Sequence, residues 1–222
     1  MDRFSRLLEL DNISIDNIKL ASNKRVLIIG VGGVGQHVST YLLTNGVNNL
    51  TIVDFDKVEI SNLNRQILLT ESDLGKSKVD VVKAALESRN KDSNIASLNL
   101  KIDDNNICDV IKGFDLVVDA VDNWATKLVI ARGCKKENIP YMHIGVDGYK
   151  GHYCLFKDKS LLDIASEDIL SSPKDGVLGS MVGIISSMAS LLIIHYLFGL
   201  EVELDALNYY DYLTNKLVKA KI

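Results

Sequence analysis

An apolar run, Val26, Leu27, Ile28 and Ile29, leads directly into Gly30-Val-Gly-Gly-Val-Gly35, and no other segment restricts the fold as much. Four consecutive apolar residues without alternation fit a strand buried on both faces, inside a sheet covered by helices on each side. Four glycines in the next six positions require a tight turn, and residues 36–44 read as the helix leaving it. In that order of elements the first glycine permits the turn. The second lets the backbone approach a phosphate, and the third lets helix and strand pack closely. The helix N-terminus adds N–H groups and about half a positive charge. Gly30, Gly32, Gly33 and Gly35 are therefore candidate nucleotide-contacting residues. A purely structural glycine turn is the competing reading.

A second buried strand at 50–53 ends on Asp54, where a carboxylate can accept both hydroxyl hydrogens of a ribose. Beyond it, residues 74–88 have helical spacing in Val79, Val82 and Leu86. Strands are expected at 95–102, 116–118, 141–144 and 152–156, with a helix at 124–137, and two further short strands at 206–210 and 216–222. Alternating strands and helices give an α/β fold, a Rossmann-like doubly wound sheet that is mostly parallel, with mixed or antiparallel strands added at the C-terminal end. At 222 residues, with two prolines and no evident linker, the chain reads as an N-terminal arm (1–24, with a short helix at 15–21) and a single nucleotide-binding domain (25–222).

The net charge of −4 argues against a broadly basic, nucleic-acid-binding surface. Cys108, Cys134 and Cys154 lie far apart with no Cys-x-x-Cys pair, so reduced thiols in a cytoplasmic protein are expected rather than a disulfide or zinc framework. Cys154 falls in an apolar strand and reads as a buried structural thiol. The polar N-terminus gives no secretory signal. Residues 176–200 contain no Asp, Glu, Lys or Arg and are long enough to span a bilayer, and they include Gly179-x-x-x-Gly183. Ser180, Ser186, Ser187 and Ser190 dilute the segment, which reads as a core or dimer-interface helix rather than a membrane span. The four histidines show no ligand spacing, and His37 is expected on the surface of the helix after the glycines.

The glycine pocket alone does not separate NAD from ATP. The segment from Asp54 to Gln66 does, because Asn62, Asn64, Arg65 and Gln66 crowd polar groups just after the ribose acid. A triphosphate cleaved at its α-phosphate needs cations beside the departing pyrophosphate. Arg65 and Lys78, with Lys76 close behind, are the candidates. Asp119 and Asp122 form a carboxylate-rich strand end, and a carboxylate with phosphate oxygens and waters is a normal magnesium site. Asp122, beyond the strand, is the expected ligand. Other readings stay open: Arg65 as a surface ion-pair partner, Lys78 on an exposed helix face, and Asp122 as a helix N-cap. Asp56 serves either magnesium or a turn, and residues 103–106 read as a turn before a helix.

GVGGVG, VDFDxVxxSNLNRQ, LGKSKVD, LVVDAVDN and GVLGSMVGIISSM together resemble the ThiF/MoeB/HesA adenylyltransferases, relatives of ubiquitin-activating enzymes, over roughly residues 3–200. The resemblance implies ATP and magnesium as cofactors, Asp54 at the ribose, Asn62, Arg65 and Lys78 at the phosphates, and Asp122 at the metal. Arg3-Phe-Ser-Arg6 resembles a family motif whose second arginine reaches the neighbouring subunit's ATP, which would make a homodimer the catalytic unit and Arg6 a residue acting in trans. The implied substrate is a small ubiquitin-like carrier protein ending in Gly-Gly. The alternatives are a short peptide C-terminus, a tRNA-modifying dehydratase, a non-catalytic scaffold subunit and, outside the family, an NAD-dependent dehydrogenase. The family's zinc cysteines are missing, and the crossover loop, about 157–175, holds no cysteine. A thioester or acyl-disulfide step on that loop is therefore not expected.

Overall fold

In the computed structural model, which describes residues 3–165 and 176–222, the apolar run before the glycines forms strand β1 (Arg25–Ile29). Val26 and Ile28 enter the hydrophobic core on one side of the sheet, and Leu27 and Ile29 enter the core on the other. Side chains alternate along a strand, so a strand covered on both faces must be apolar at every position. The other elements follow as helix α1 (Ile15–Ser22), α2 (Gly33–Thr44), β2 (Asn49–Asp54), α3 (Lys78–Arg89), β3 (Asn94–Asn99), α4 (Ile107–Ile111), β4 (Leu116–Asp119), α5 (Trp124–Glu137), β5 (Tyr141–Asp147), β6 (Lys150–Phe156), α6 (Gly179–Leu197), β7 (Ala206–Asp211) and β8 (Lys216–Lys221).

One eight-stranded sheet runs in the order β3-β2-β1-β4-β5-β6-β7-β8. The first five strands are parallel, and β6, β7 and β8 add antiparallel pairings, as the sequence pattern predicts. Helices α1, α2, α3 and α6 contribute to the core on one face, α4 and α5 to the core on the other. Several boundaries differ from expectation: α2 already starts at Gly33, β5 runs on to Asp147 and β6 begins at Lys150. The helix expected from residue 74 begins only at Lys78, because a 3-10 turn at Glu71–Asp73 and Gly75 at φ +80° occupy the preceding residues. The strand expected to reach 102 stops at Asn99. Part of the crossover loop, residues 166–175, lies outside the described residues.

The N-terminal arm is packed rather than loose. Ser14 and Asn17 form a capping box at the start of α1, Ile13, Ile18 and Ala21 are buried, and the Asn17 side-chain amide donates to the Phe198 carbonyl at 2.8 Å. Helix α6 is long and apolar enough to cross a membrane by length and composition alone. Here Met181, Val182, Ile185, Ala189 and Ile193 bury it against α2, β5 and β6, in agreement with a core helix.

A knot of polar side chains, most of them buried, joins β4, β5 and β6 to α5. The Lys127 ammonium donates to both Asp119 carboxylate oxygens, at 3.0 and 3.2 Å, and to the Ile144 carbonyl at 2.7 Å. Its three protons thus find acceptors. His143 Nδ1 lies 2.7 Å from Asp119 Oδ2, and His143 Nε2 lies 3.1 Å from His152 Nε2. Burial would push the Asp119 carboxyl up, but the Lys127 charge and the His143 hydrogen bond outweigh it and hold it below the ordinary carboxylate value. Burial and the Lys127 charge push His143 down, and burial with the neighbouring His143 and Lys127 pushes His152 down to about 3.

Both imidazoles are therefore neutral in the fold, whereas in the unfolded chain they titrate near 6.5. Below that pH the unfolded state takes up protons that the native state refuses, so stability is present above about pH 6.5 and falls on acidification towards 3. Urea unfolding at pH 7.5 and pH 5 should show His152 alone contributing a loss of about 1–2 kcal/mol at the lower pH. His152→Gln should flatten that pH dependence. An equally steep slope in the variant would refute the assignment.

Candidate active site

The strand order turns outward in both directions from the gap between β1 and β4, since β2 and β3 lie on one side and β5 on the other. Ligands of doubly wound sheets bind outside the carboxyl ends of the strands at such a switch point. Gly30 sits there at φ +93°, and a Cβ on it would lie 2.8 Å from the Ala120 carbonyl oxygen. Its N–H donates to Val53 O at 2.8 Å while Ala120 N–H donates to Ile29 O at 2.9 Å, joining the ends of β1, β2 and β4. A Cβ on Gly35 would strike the Gly30 carbonyl, so the first turn of α2 lies against the strand end. Around Gly32, which caps α2 without a side-chain bond, the nearest contact of such an atom would be Gln66 Nε2 at 3.8 Å. The first α-helical N–H bond in α2 is from Gln36 to Gly32 O, which leaves the N–H groups of Gly33, Val34 and Gly35 ahead of it.

Asp54 and Lys78 are tied to this turn by a hydrogen-bonded chain. Asp54 Oδ2 accepts the Val31 N–H at 2.8 Å and Oδ1 accepts the Asp56 N–H at 2.9 Å. A second lone pair remains on each oxygen for a ligand. Lys78 Nζ donates to Asp56 Oδ2 at 2.9 Å, and the lysine side chain is only 8% exposed against 50% for the aspartate. Lys78 is therefore not on an exposed helix face, and Asp56 is the partner of Lys78.

The segment after Asp56 forms the opposing wall. Asn62 is buried with its Oδ1 accepting the Glu59 N–H at 3.1 Å, so it shapes the 3-10 turn at Ile60–Asn62. Gln66, also buried, accepts from Gln36 Nε2 at 3.4 Å. Gln36 in turn donates to Val31 O at 2.8 Å and accepts the Leu68 N–H at 2.8 Å. Gln66 thus supports the glycine turn from beneath. Half-buried Arg65 has its Cγ 3.3 Å from where a Gly33 Cβ would be, and its Nη1 donates to Ser61 O at 2.9 Å and Asn64 Oδ1 at 2.8 Å. Among the described residues it forms no ion pair, contrary to the surface-pair reading.

Across the pocket, Asp122 is exposed beyond the end of β4, on the turn that Gly30 touches through Ala120 and Val121. The N-cap of α5 is Asn123, whose side chain accepts from Thr126 N–H at 3.1 Å, so the capping role falls to the next residue. Asp119 is fully buried in its knot and unavailable to a ligand. Among the described residues no set of three or more His, Cys, Asp or Glu side chains is grouped to hold a metal by itself. One exposed carboxylate on the turn beside the glycines is a donor of the kind magnesium takes, since that ion keeps waters and fills the rest of its shell from substrate phosphates.

Not every expected residue converges. Arg6 pairs with Glu9 at 3.0 Å on the exterior of its own chain. His37, expected on a surface, is buried: its Nδ1 lies 2.8 Å from Gly33 O and its other edge faces Gly183 of α6. Burial pushes the Cys154 thiol up to about 12 and raises Cys134 as well, which fits inert core thiols. Four residues escaped the sequence reading: Gln36, Lys127, His143 and His152. A charged residue beside the apolar run 128–131 was the one available signal for Lys127.

The ThiF family model matches residues 4–222. The molybdopterin-synthase adenylyltransferase of Haemophilus influenzae is 33% identical over 198 residues, covering 85% of this chain and 81% of the relative. The sulfur carrier protein ThiS adenylyltransferase of Escherichia coli is 31% identical over 222 residues, covering 94% and 86%. The crystal structure of E. coli MccB with ATP superposes with a TM-score of 0.90 at 23% identity over 99% of this chain and 71% of that one, a likeness of fold. With a family model spanning nearly its whole length and relatives above 30% identity, the chain belongs to the ThiF family.

Proposed function

We propose that this protein is an ATP-dependent adenylyltransferase that activates the C-terminal carboxylate of a small ubiquitin-like, Gly-Gly-ending carrier protein. Support comes first from the hydrogen-bonded chain that links the glycine turn, Asp54, Asp56 and Lys78, with the Arg65 side chain packed against Gly33 of the same turn. This collects a ribose acid and two cations around one anion-binding helix N-terminus, as a triphosphate requires and a dehydrogenase does not. Relatives above 30% identity bear the names of molybdopterin-synthase and ThiS adenylyltransferases, which favours a carrier over a free peptide.

In the reaction, a carboxylate oxygen of the substrate attacks the α-phosphorus, the bond from that phosphorus to the bridging oxygen breaks, and pyrophosphate leaves. A carboxylate is already ionised at neutral pH, so no general base is needed. Asp54 orients the ribose, the N-terminus of α2 and Lys78 hold the phosphates, and Arg65 neutralises charge on the departing pyrophosphate. Asn62 and Gln66 act by shaping that wall. Asp122 holds magnesium, which supplies charge neutralisation when bound. Residues 25–222 act as one adenylation domain, in the cytoplasm, within a homodimer in which Arg6 reaches the partner's phosphates.

Arg65→Ala and Asp122→Ala should each lower carrier-dependent exchange of labelled pyrophosphate into ATP by about a hundredfold or more, the scale of losing one preorganised electrostatic group. Near-normal exchange in both variants would rule out the site. ATP should raise the melting temperature and NAD should not, by ligand linkage. The reverse result would favour a dehydrogenase. Arg6→Ala and Arg65→Ala, each inactive alone, should regain up to about a quarter of normal activity on subunit mixing, because one site per mixed dimer is intact. No recovery despite subunit exchange would place Arg6 outside catalysis.

A further inference from the structure

The geometry points to Lys127 and His143 as positioning residues that grip Asp119 and thereby set the turn presenting Asp122, an inference that rests on the proposed magnesium-holding role of Asp122. The turn Ala120–Val121–Asp122–Asn123 connects β4 to α5. At its start, Asp119 Oδ1 accepts the Val121 N–H at 3.4 Å, and Ala120 N–H is fixed to Ile29 O at 2.9 Å. At its end, the Lys127 N–H donates to Asn123 O at 3.0 Å. The ammonium of the same lysine returns to Asp119 at 3.0 Å and to Ile144 O on β5 at 2.7 Å. One residue therefore ties both ends of the turn together, the far end through its backbone N–H and the near end through its ammonium, which also anchors the turn to the next strand.

The histidines complete the grip. With Asp119 as acceptor, His143 Nδ1 carries the proton, so His143 Nε2 accepts and His152 Nε2 donates, a tautomer pattern assigned from the network. The Asp119 side chain is fully buried and that of Lys127 is 7% exposed. Well-packed apolar residues of similar volume often serve stability as well as such a pair does. An apolar pair would leave the Val121 N–H without its carboxylate partner and the turn without its tie to β5. What the charged pair adds is a fixed direction for the backbone that carries Asp122.

Groups that orient a metal-bearing residue typically change metal affinity by about 10–100-fold when removed. Trp124, the only tryptophan of the chain, stands two residues beyond Asp122 with its ring edge-on to His143 at 6.5 Å, so its fluorescence reports on this turn without any carrier protein. The full chain would be titrated with ATP in EDTA and again with excess magnesium chloride. The double variant D119N/K127Q removes both buried charges together while keeping polar groups in place. It should bind ATP in EDTA within about twofold of the parent and lose about tenfold of the tightening that magnesium gives. H143Q should lose about threefold in the same direction. K127R, which keeps the cation, should restore most of the magnesium effect.

Asp122→Ala separates the two levels of the argument. If that variant keeps the full magnesium effect, the reading of Asp122 fails and the positioning inference falls with it. If it loses the effect while folded D119N/K127Q and H143Q keep theirs, the inference alone is overturned and Asp122 stands. Should the double variant not fold, H143Q with an unchanged magnesium effect is sufficient to overturn it.

Discussion

The site depends on one close approach, that of Gly30 to the Ala120 carbonyl across the gap between β1 and β4. A side chain at residue 30 would lie 2.8 Å from that oxygen in a conformation that L residues rarely adopt, so glycine there is a steric requirement. The contact closes the end of the sheet tightly enough for α2 to start at the strand terminus. It also places the β4–α5 turn beside the glycine turn, although the two segments are separated by some 90 residues. Strand pairing supplies the force: β1 is flanked by β2 and β4 in continuous parallel register, and its side chains are divided between two cores.

Helix α6 sets the remaining wall. Val182 Cγ1 lies 3.0 Å from where a Gly33 Cβ would be, and a Cβ on Gly179 would strike the Asn64 carbonyl. The segment that carries Arg65 is thus pressed between the first turn of α2 and the start of α6. This explains why residues 176–200 resemble a membrane span in composition. A helix packed against α2, β5 and β6 buries Met181, Val182, Ile185, Ala189, Ile193 and Leu197, and apolarity at those positions follows from packing. The small residues at 179 and 183 serve close approach too, to Asn64 and His37, and not to a second membrane helix.

How much of this was legible in the sequence depended on whether the relevant physics is local. The doubly wound sheet and its antiparallel extension followed from runs of apolar residues and helical spacing. The glycine turn, Asp54 and the polar wall were visible because they lie within about 40 residues of one another in a recognisable order. Helix starts were less legible, as at Lys78, where a 3-10 turn and a left-handed glycine compete with helical periodicity. The Asp119–Lys127–His143–His152 knot could not be read, because it depends on which side chains the packing of α5 on β4, β5 and β6 brings together. His143 and His152 meet across an antiparallel pair whose register, Gly145 opposite His152, is fixed by the fold. Asn62 and Gln66 show the converse: the sequence marks them as polar and near the pocket, and the structure spends their visible bonds on Glu59 and Gln36.

The hydrogen-bond chain also says how the pocket is organised before a ligand arrives. Asp54 bonds at once to the glycine turn and to the backbone of Asp56, whose side chain holds Lys78. The proposed ribose acid and the proposed phosphate cation are therefore parts of one hydrogen-bonded unit, and a shift of either is transmitted to the other. A lysine so tethered loses little side-chain entropy on binding a phosphate, because most of that freedom is already lost in folding. Its charge is also partly balanced by Asp56 until a stronger anion arrives. Preorganised cations are effective because they need not reorganise as charge develops. The net charge of −4 does not count against the proposed anion-binding pocket, since what matters there is the fixed placement of two cations and a helix end.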